Sequence, residues 1–181
     1  MEILFITGNA KKAEEVAAIT GLDIAPKKLD ISEIQSLNVE EVARAKAATA
    51  YELTGQPVAV DDTGMSIAAL GGLPGALVVW FLDILGPGGI LKLLVGEKNR
   101  QASVSTCIGY ADSTGIYVFT GTVDGQISES LKGDNGFGYD PIFIPEGQTK
   151  TYAEMSAEEK NTISMRKIAL NKFKEFMLSR K

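Results

Sequence analysis

Two alternating apolar runs, residues 102–111 and 115–121, are separated only by Asp112-Ser113-Thr114. Alternation places successive side chains on opposite faces of a strand. Three polar residues are enough to turn the chain back on itself as a hairpin. The first third of the chain is built differently. Short apolar runs at 2–7, 22–25 and 57–61 alternate with helix-like runs at 10–20 and 39–53, an order typical of parallel strands joined by helices. The two patterns together predict an α/β fold with a mixed sheet, part of it antiparallel.

Further strand-like runs lie at 125–128 and 141–144, and further helix-like runs at 88–94 and 162–179. The segment 39–53 is rich in Ala, Glu, Lys and Arg, which favour helix. Ser156-Ala157-Glu158-Glu159 reads as a capping box. Ala169, Phe173, Phe176 and Met177 recur at the spacing of one helix face, so these aromatics are expected to pack. The glycine-rich stretches 71–75 and 86–89 bracket an apolar segment, 77–85, that carries the only tryptophan, Trp80. That segment fits a hinge, a partner surface or core equally well. The length, 181 residues, suits one domain or two closely packed lobes, and residues 1–181 are read as one domain.

The chain has no histidine and one cysteine, Cys107. A Ser-His-Asp triad, a Cys-His dyad and a zinc site of nitrogen and sulfur ligands are all excluded. Cys107 lies in an alternating apolar run and reads as a small buried hydrophobe. Any metal would be a hard cation on oxygen ligands, Mg²⁺ or Mn²⁺ first. The net charge is −5, so no overall basic field draws in nucleic acid. A phosphate-rich ligand would need a local cluster of Lys and Arg, a divalent metal, or both. No segment reads as a signal peptide or membrane span, and a soluble, cytoplasmic protein is expected.

Five segments carry the residue types that chemistry needs. Thr7-Gly8-Asn9-Ala10-Lys11-Lys12 joins a strand to a helix. A helix start offers unpaired N–H groups and partial positive charge to an anion, Gly8 allows close backbone approach, and two lysines add full charges. An ordinary strand-to-helix turn would read the same way, and the P-loop spacing is absent. Asp61-Asp62-Thr63-Gly64 follows the strand 57–60 and is expected to end it. Neighbouring strand residues face opposite ways, so one aspartate is expected to face a cleft while the other supports it. Glu33 sits in a strand-to-helix loop; beside Asp62 it would complete a pair of oxygen ligands for Mg²⁺. Gly136-Phe137-Gly138-Tyr139-Asp140 offers either an exposed ring for stacking on a base, with Asp140 to accept a ring N–H, or a hairpin loop with a buried Phe. Lys160 and Arg166 are donor-only cations that also fit a solvated helix face.

The order of these segments resembles the inosine triphosphatase family, nucleoside triphosphate pyrophosphatases that act on non-standard purine nucleotides (XTP/dITP diphosphatases). The resemblance runs nearly end to end. Besides the segments above it rests on Glu33-Ile34-Gln35, Ala69-Leu70-Gly71-Gly72-Leu73-Pro74-Gly75, Thr151-Tyr152-Ala153-Glu154-Met155 and Glu159-Lys160-Asn161. It implies an elongated mixed α/β sheet in two lobes with flanking helices around a central cleft, a homodimer, and Mg²⁺ as cofactor with Mn²⁺ as a substitute. It implies that Thr7, Gly8, Asn9, Ala10, Lys11 and Lys12 hold phosphates, helped by Lys46 and Lys160, with Thr63 also at the substrate. Glu33 and Asp62 would serve the metal, and Asp62 would activate water. Phe137, Gly138, Tyr139, Asp140, Met165 and Arg166 would form the base pocket. The family usually has Ser-His-Arg where this chain has Ser164-Met165-Arg166, so the departure falls at the base end.

The implied reaction is attack of water on the α-phosphorus of ITP, dITP or XTP, releasing pyrophosphate and cleaning the nucleotide pool. Arg166, offering only donors, would favour a 6-oxo purine over adenine, because donor facing donor leaves buried groups unpaired. Two other readings remain. One is a Maf-like pyrophosphatase acting on other modified nucleotides; the other is a nucleotide-binding regulatory module with little turnover, which Met165 favours.

Overall fold

The computed structural model describes residues 2–180 except residue 9, with the side chains of residues 10 and 11 also outside the description. The elements run β1 (Ile3–Ile6), α1 (Ala10–Thr20), β2 (Ile24–Lys27), α2 (Val39–Thr54), β3 (Val58–Ile67), β4 (Pro74–Gly75), α3 (Val78–Leu93), β5 (Gln101–Asp112), β6 (Gly115–Ile127), β7 (Phe143–Pro145), α4 (Ala157–Ile163) and α5 (Met165–Ser179). They form one mixed sheet in the order β2-β1-β3-β5-β6-β7, with β4 beside β3. Strand β1 pairs in parallel with β2 and β3, whereas β3–β5, β5–β6 and β6–β7 are antiparallel. The α/β expectation and the hairpin both hold. Asp112 pairs with Gly115 across the turn, and the Asp112 carboxylate accepts the Thr114 N–H at 2.8 Å.

Alternation along β3 separates the helices onto two faces. Ala59 packs with Ile3, Phe5, Ala13, Val16, Ala169 and Phe173 under α1 and α5. Val58 and Val60 pack with Leu4, Ile6, Ala43, Ala47 and Ala50 under α2. Beyond Gly64 a third core forms around Met65, Ile67, Ile90, Val104, Ile127, Phe143 and Tyr152. The long strands β3, β5 and β6 thus run through both ends of the molecule. Phe173 stacks at 5.5 Å on both Tyr110 and Phe119, so the last helix buries its aromatics as its spacing predicts. Cys107 is free and buried.

Four boundaries differ from the sequence reading. Strand β3 does not stop at Asp61: its ladder with β5 continues through Ile67 opposite Ala102, so the Asp-Asp pair lies mid-strand. The runs 115–121 and 125–128 are one strand, because β5 continues to pair as far as Gln101 opposite Gln126. Residues 77–85 are mostly helix; α3 starts at Val78 and kinks at Gly86 (φ 66°), followed by Pro87. The run 162–179 is broken at Ser164, whose extended backbone (φ −77°, ψ 145°) separates α4 from α5. Ser164 then caps α5, accepting the Lys167 N–H at 3.3 Å, and so sets Met165 and Arg166 in the first turn of that helix. The capping box at Ser156 and Glu159 is present. No helix among the described residues is long and apolar enough to cross a membrane.

Candidate active site

A cleft of about 1230 Å³ opens beside the middle of β3. It collects residues from segments far apart in sequence: Thr7, Gly8 and Lys12 at the start of α1, Glu33 from the loop before α2, and Lys46 from α2. Asp61, Asp62 and Thr63 come from mid-β3, Phe137, Gly138, Tyr139 and Asp140 from the loop before β7, and Lys160, Met165 and Arg166 from α4 and α5. A second cavity of about 610 Å³ is lined by Asp124 and Glu146 with uncharged residues. It offers no cation, so a polyphosphate is far better matched by the first.

Alternation in β3 gives the two aspartates opposite surroundings. Asp61, on the α1/α5 face, is buried and accepts hydrogen bonds from Lys12 at 3.1 and 3.3 Å and from Arg166 at 3.0 Å. Burial pushes its carboxyl up, but Lys12 and Arg166 outweigh that and hold it below the usual carboxylate range. Asp62, on the α2 face, is different. Its Oδ2 is buried and has no hydrogen-bond partner among the described residues. Burial raises its pKa to about 7; Lys46 opposes the rise, and Glu33 and Asp61 add to it. A carboxyl poised near neutrality in a cleft is the electrostatic signature of a proton acceptor. Lys46 itself donates to Glu33, so the Glu33 carboxylate, the Lys46 ammonium and Asp62 form one interacting set.

That set also meets the needs of a hard cation. Glu33 and Asp62 supply oxygens only, and Asp62 has an unpartnered buried oxygen to offer. Among the described residues no group of three or more acidic, cysteine or histidine side chains gathers to cage a metal. One or two carboxylates completed by water and substrate phosphates is the usual way Mg²⁺ is held.

The other end of the cleft is aromatic. Phe137 is 68 % exposed, so the loop does not bury its Phe. Gly136 makes this loop (φ 76°): a Cβ there would lie 2.0 Å from Asp140 Oδ2. Asp140 is buried, and its Oδ2 accepts the Phe137 N–H at 2.8 Å and the Lys160 ammonium at 2.6 Å. Lys160 Nζ also lies 5.2 Å from the ring centroids of Phe137 and Tyr152. Lys160 therefore stands beside the aromatic loop, through its contacts with Asp140, Phe137 and Tyr152. Met165 is buried in the third core beside Tyr139 and Met155 and also lines the cleft. Two further polar atoms are buried without hydrogen-bond partners among the described residues: the Tyr139 hydroxyl and Arg166 Nε.

The sequence reading of residue 9 lies outside the described residues, as do the side-chain roles of Ala10 and Lys11. The reading missed Glu15, which accepts from Arg166 at 3.3 Å. Its position three residues after Lys12 in a helix puts it on the same face, a signal that was available. It also missed the wall formed by Val79, Leu82 and Asp83 of α3, for which the sequence carries no comparable signal.

Comparison with known proteins agrees with this geometry. Residues 3–176 match the model of the Ham1 family. The chain is 46 % identical over 180 residues to a dITP/XTP pyrophosphatase of Methanopyrus kandleri, covering 97 % of this chain and 96 % of that one. It is 42 % identical over 182 residues to an inosine triphosphate pyrophosphatase of Yarrowia lipolytica, covering 98 % and 96 %. The solved structure of the Staphylococcus aureus Ham1 protein superposes with a TM-score of 0.91 at 30 % identity over the full length of both chains. A HAM1 protein from Coxiella burnetii superposes with a TM-score of 0.90 at 31 % identity, covering 99 % of each. The chain belongs to the Ham1 family.

Proposed function

We propose that this protein hydrolyses non-standard purine nucleoside triphosphates, ITP, dITP and XTP, to the monophosphate and pyrophosphate. The observation that carries the reading is Asp62: its buried Oδ2 has no hydrogen-bond partner among the described residues and burial raises its pKa to about 7, in a cleft that it shares with Lys12, Lys46 and the exposed Phe137 ring. Similarity to the dITP/XTP pyrophosphatase of Methanopyrus kandleri and the inosine triphosphate pyrophosphatase of Yarrowia lipolytica supports the same substrates.

The residues divide the work by position. Thr7, Gly8 and Lys12 receive the phosphates at the start of α1, where helix N–H groups favour anions. Lys46 adds charge on the α2 side. Asp62 takes a proton from water as the water oxygen bonds to the α-phosphorus. The bond from that phosphorus to the bridging oxygen breaks, and pyrophosphate leaves with the electron pair. In a chain without histidine a carboxylate is the natural base. Glu33 and Asp62 would hold a divalent cation, Mg²⁺ or Mn²⁺, and it would supply charge neutralisation on the phosphate oxygens. Phe137 stacks on the purine, and Arg166 donates to its 6-oxo group.

A homodimer in the cytoplasm belongs to the same reading. The first half of α3 supports it, presenting Val79, Trp80 and Ile84 to solvent, an apolar surface of the kind that partners cover. The test of the function is a panel of nucleotides with Mg²⁺, scored for pyrophosphate. Turnover of ITP, dITP and XTP well above ATP and GTP is expected; equal turnover of all, or none, would refute the proposal.

A further inference from the structure

Asp61 touches both of the cations that the proposed function assigns to different groups of the substrate, the phosphates and the base. Its Oδ2 accepts from Lys12 of α1 at 3.1 Å and from Arg166 of α5 at 3.0 Å, and its Oδ1 accepts from Lys12 at 3.3 Å. Asp61 is 8 % exposed, so water does little to loosen these bonds. The three residues lie on three elements that converge only through the packing of α1 and α5 over the same face of the sheet. One oxygen thus fixes the distance between an ammonium and a guanidinium that are 154 residues apart in sequence by position (166 − 12).

The contacts also decide what Arg166 has left to offer. Nη2 is held by Asp61 and Nη1 by Glu15 at 3.3 Å, while Nε is buried without a hydrogen-bond partner among the described residues. A guanidinium gripped at both outer nitrogens is fixed in orientation, so its three remaining N–H groups point in set directions. A carboxylate is suited to this because the planar fork of arginine meets it in a fixed geometry. Asp61 is a poor candidate for the water-activating base, since both its oxygens already accept from cations, whereas Asp62 Oδ2 has no hydrogen-bond partner among the described residues.

We propose that Asp61 is a positioning residue that makes Lys12 and Arg166 act as one unit, so that selection of the base depends on the phosphate-end lysine as well as on the arginine. This rests on the reading of the cleft as a site for ITP-like triphosphates. It has a consequence that independent end groups would not have. ITP and ATP carry the same sugar and the same triphosphate and differ only in the base. A lysine that merely binds phosphate must affect both nucleotides alike. A lysine tied through Asp61 to the base-reading arginine must affect their ratio.

The test measures kcat/KM for ITP and for ATP in the wild type, Lys12→Met, Asp61→Asn, Arg166→Lys and the double variant Asp61→Asn/Arg166→Lys, with folding checked by thermal unfolding. The preference for ITP over ATP is expected to fall on the order of 10-fold in Asp61→Asn, the size of one lost charge-assisted hydrogen bond. It is expected to fall at least about 3-fold in Lys12→Met, a smaller fraction of the same bond energy. Adding Asp61→Asn to Arg166→Lys should move the ratio no further, because Asp61 acts through the arginine; this is the non-additivity of coupled residues. If Asp61→Asn does not fold, Lys12→Met decides by itself. Equal losses for ITP and ATP in every folded member of the pair Asp61→Asn and Lys12→Met would overturn the proposal. So would an undiminished effect of Asp61→Asn in the Arg166→Lys background. A wild type without any preference for ITP would overturn the functional reading and this inference with it. Preference in the wild type that survives both substitutions removes the inference alone.

Discussion

Asp61 and Asp62 are neighbours in sequence with opposite electrostatics, and the difference is measurable. Burial pushes the Asp62 carboxyl up to about 7, against about 3.9 for an ordinary aspartate. Folding therefore favours its protonated form. The associated stability is fully present below the unfolded pKa and is lost as pH rises through about 7. A gap of this size corresponds to at most about 4 kcal/mol, reduced by whatever solvent reaches the group. Asp62→Asn removes that penalty. In metal-free protein the variant is expected to match the wild type near pH 4 and to melt several degrees higher at pH 8, while kcat falls roughly 10²-fold or more. A melting temperature that shifts with pH alike in both proteins would contradict the assignment. At the base end, Arg166→Ala should lower kcat/KM for ITP by about 10- to 100-fold and shrink the preference over ATP, in line with one lost hydrogen bond from a charged donor; unchanged selectivity would remove Arg166 from the base pocket. Asp62 was legible in the sequence because the absence of histidine left carboxylates as the candidate bases. The partners of Asp61 were not, because nothing local says that α1 and α5 lie over the same strand.

Close packing of α5 on β6 places the base end of the cleft. A Cβ on Gly121 would meet Met165 O at 2.0 Å and Ala169 N at 2.7 Å, both backbone atoms that cannot swing away. Gly121→Ala is expected to destabilise the protein by about 1–3 kcal/mol or more, the usual cost of overpacking, and to weaken ITP selectivity as α5 shifts and carries Arg166 with it. Urea unfolding with an unchanged midpoint would show that the helix is not held this tightly. Elements with a clear period were legible: β5, α1 and α2 sit close to where their patterns put them. Helix α3 was not, for two physical reasons. Its first half exposes Val79, Trp80 and Ile84 while Val78 and Ile90 are buried, so apolar residues lie on several sides and no single face repeats. The Gly86-Pro87 step then reads as an end, whereas the chain only kinks there. Likewise Asp61-Asp62-Thr63-Gly64 has turn-like composition, and only pairing with β5 keeps it in the strand.

For the whole molecule, the long strands β3, β5 and β6 carry three cores and leave the cleft between them. The mixed sheet was readable from the hairpin and the alternating first third; the convergence of Thr7, Gly8 and Lys12 with Asp61, Asp62, Phe137, Asp140, Lys160 and Arg166 on one cavity was implied by resemblance and depends on tertiary packing. The proposed homodimer predicts a particle of twice the 19.3 kDa chain mass in light scattering at micromolar concentration, and Trp80→Ser should shift it toward monomer if α3 carries the contact. A fully active monomer would contradict the dimer. The central claim is chemical: water attacks the α-phosphorus of a non-standard purine triphosphate and pyrophosphate leaves. Hydrolysis of ITP in ¹⁸O-water, followed by mass spectrometry of both products, tests it most directly. The account predicts one ¹⁸O in inosine monophosphate and none in pyrophosphate. Label in released orthophosphate or pyrophosphate, with a diphosphate appearing on the way, would contradict it.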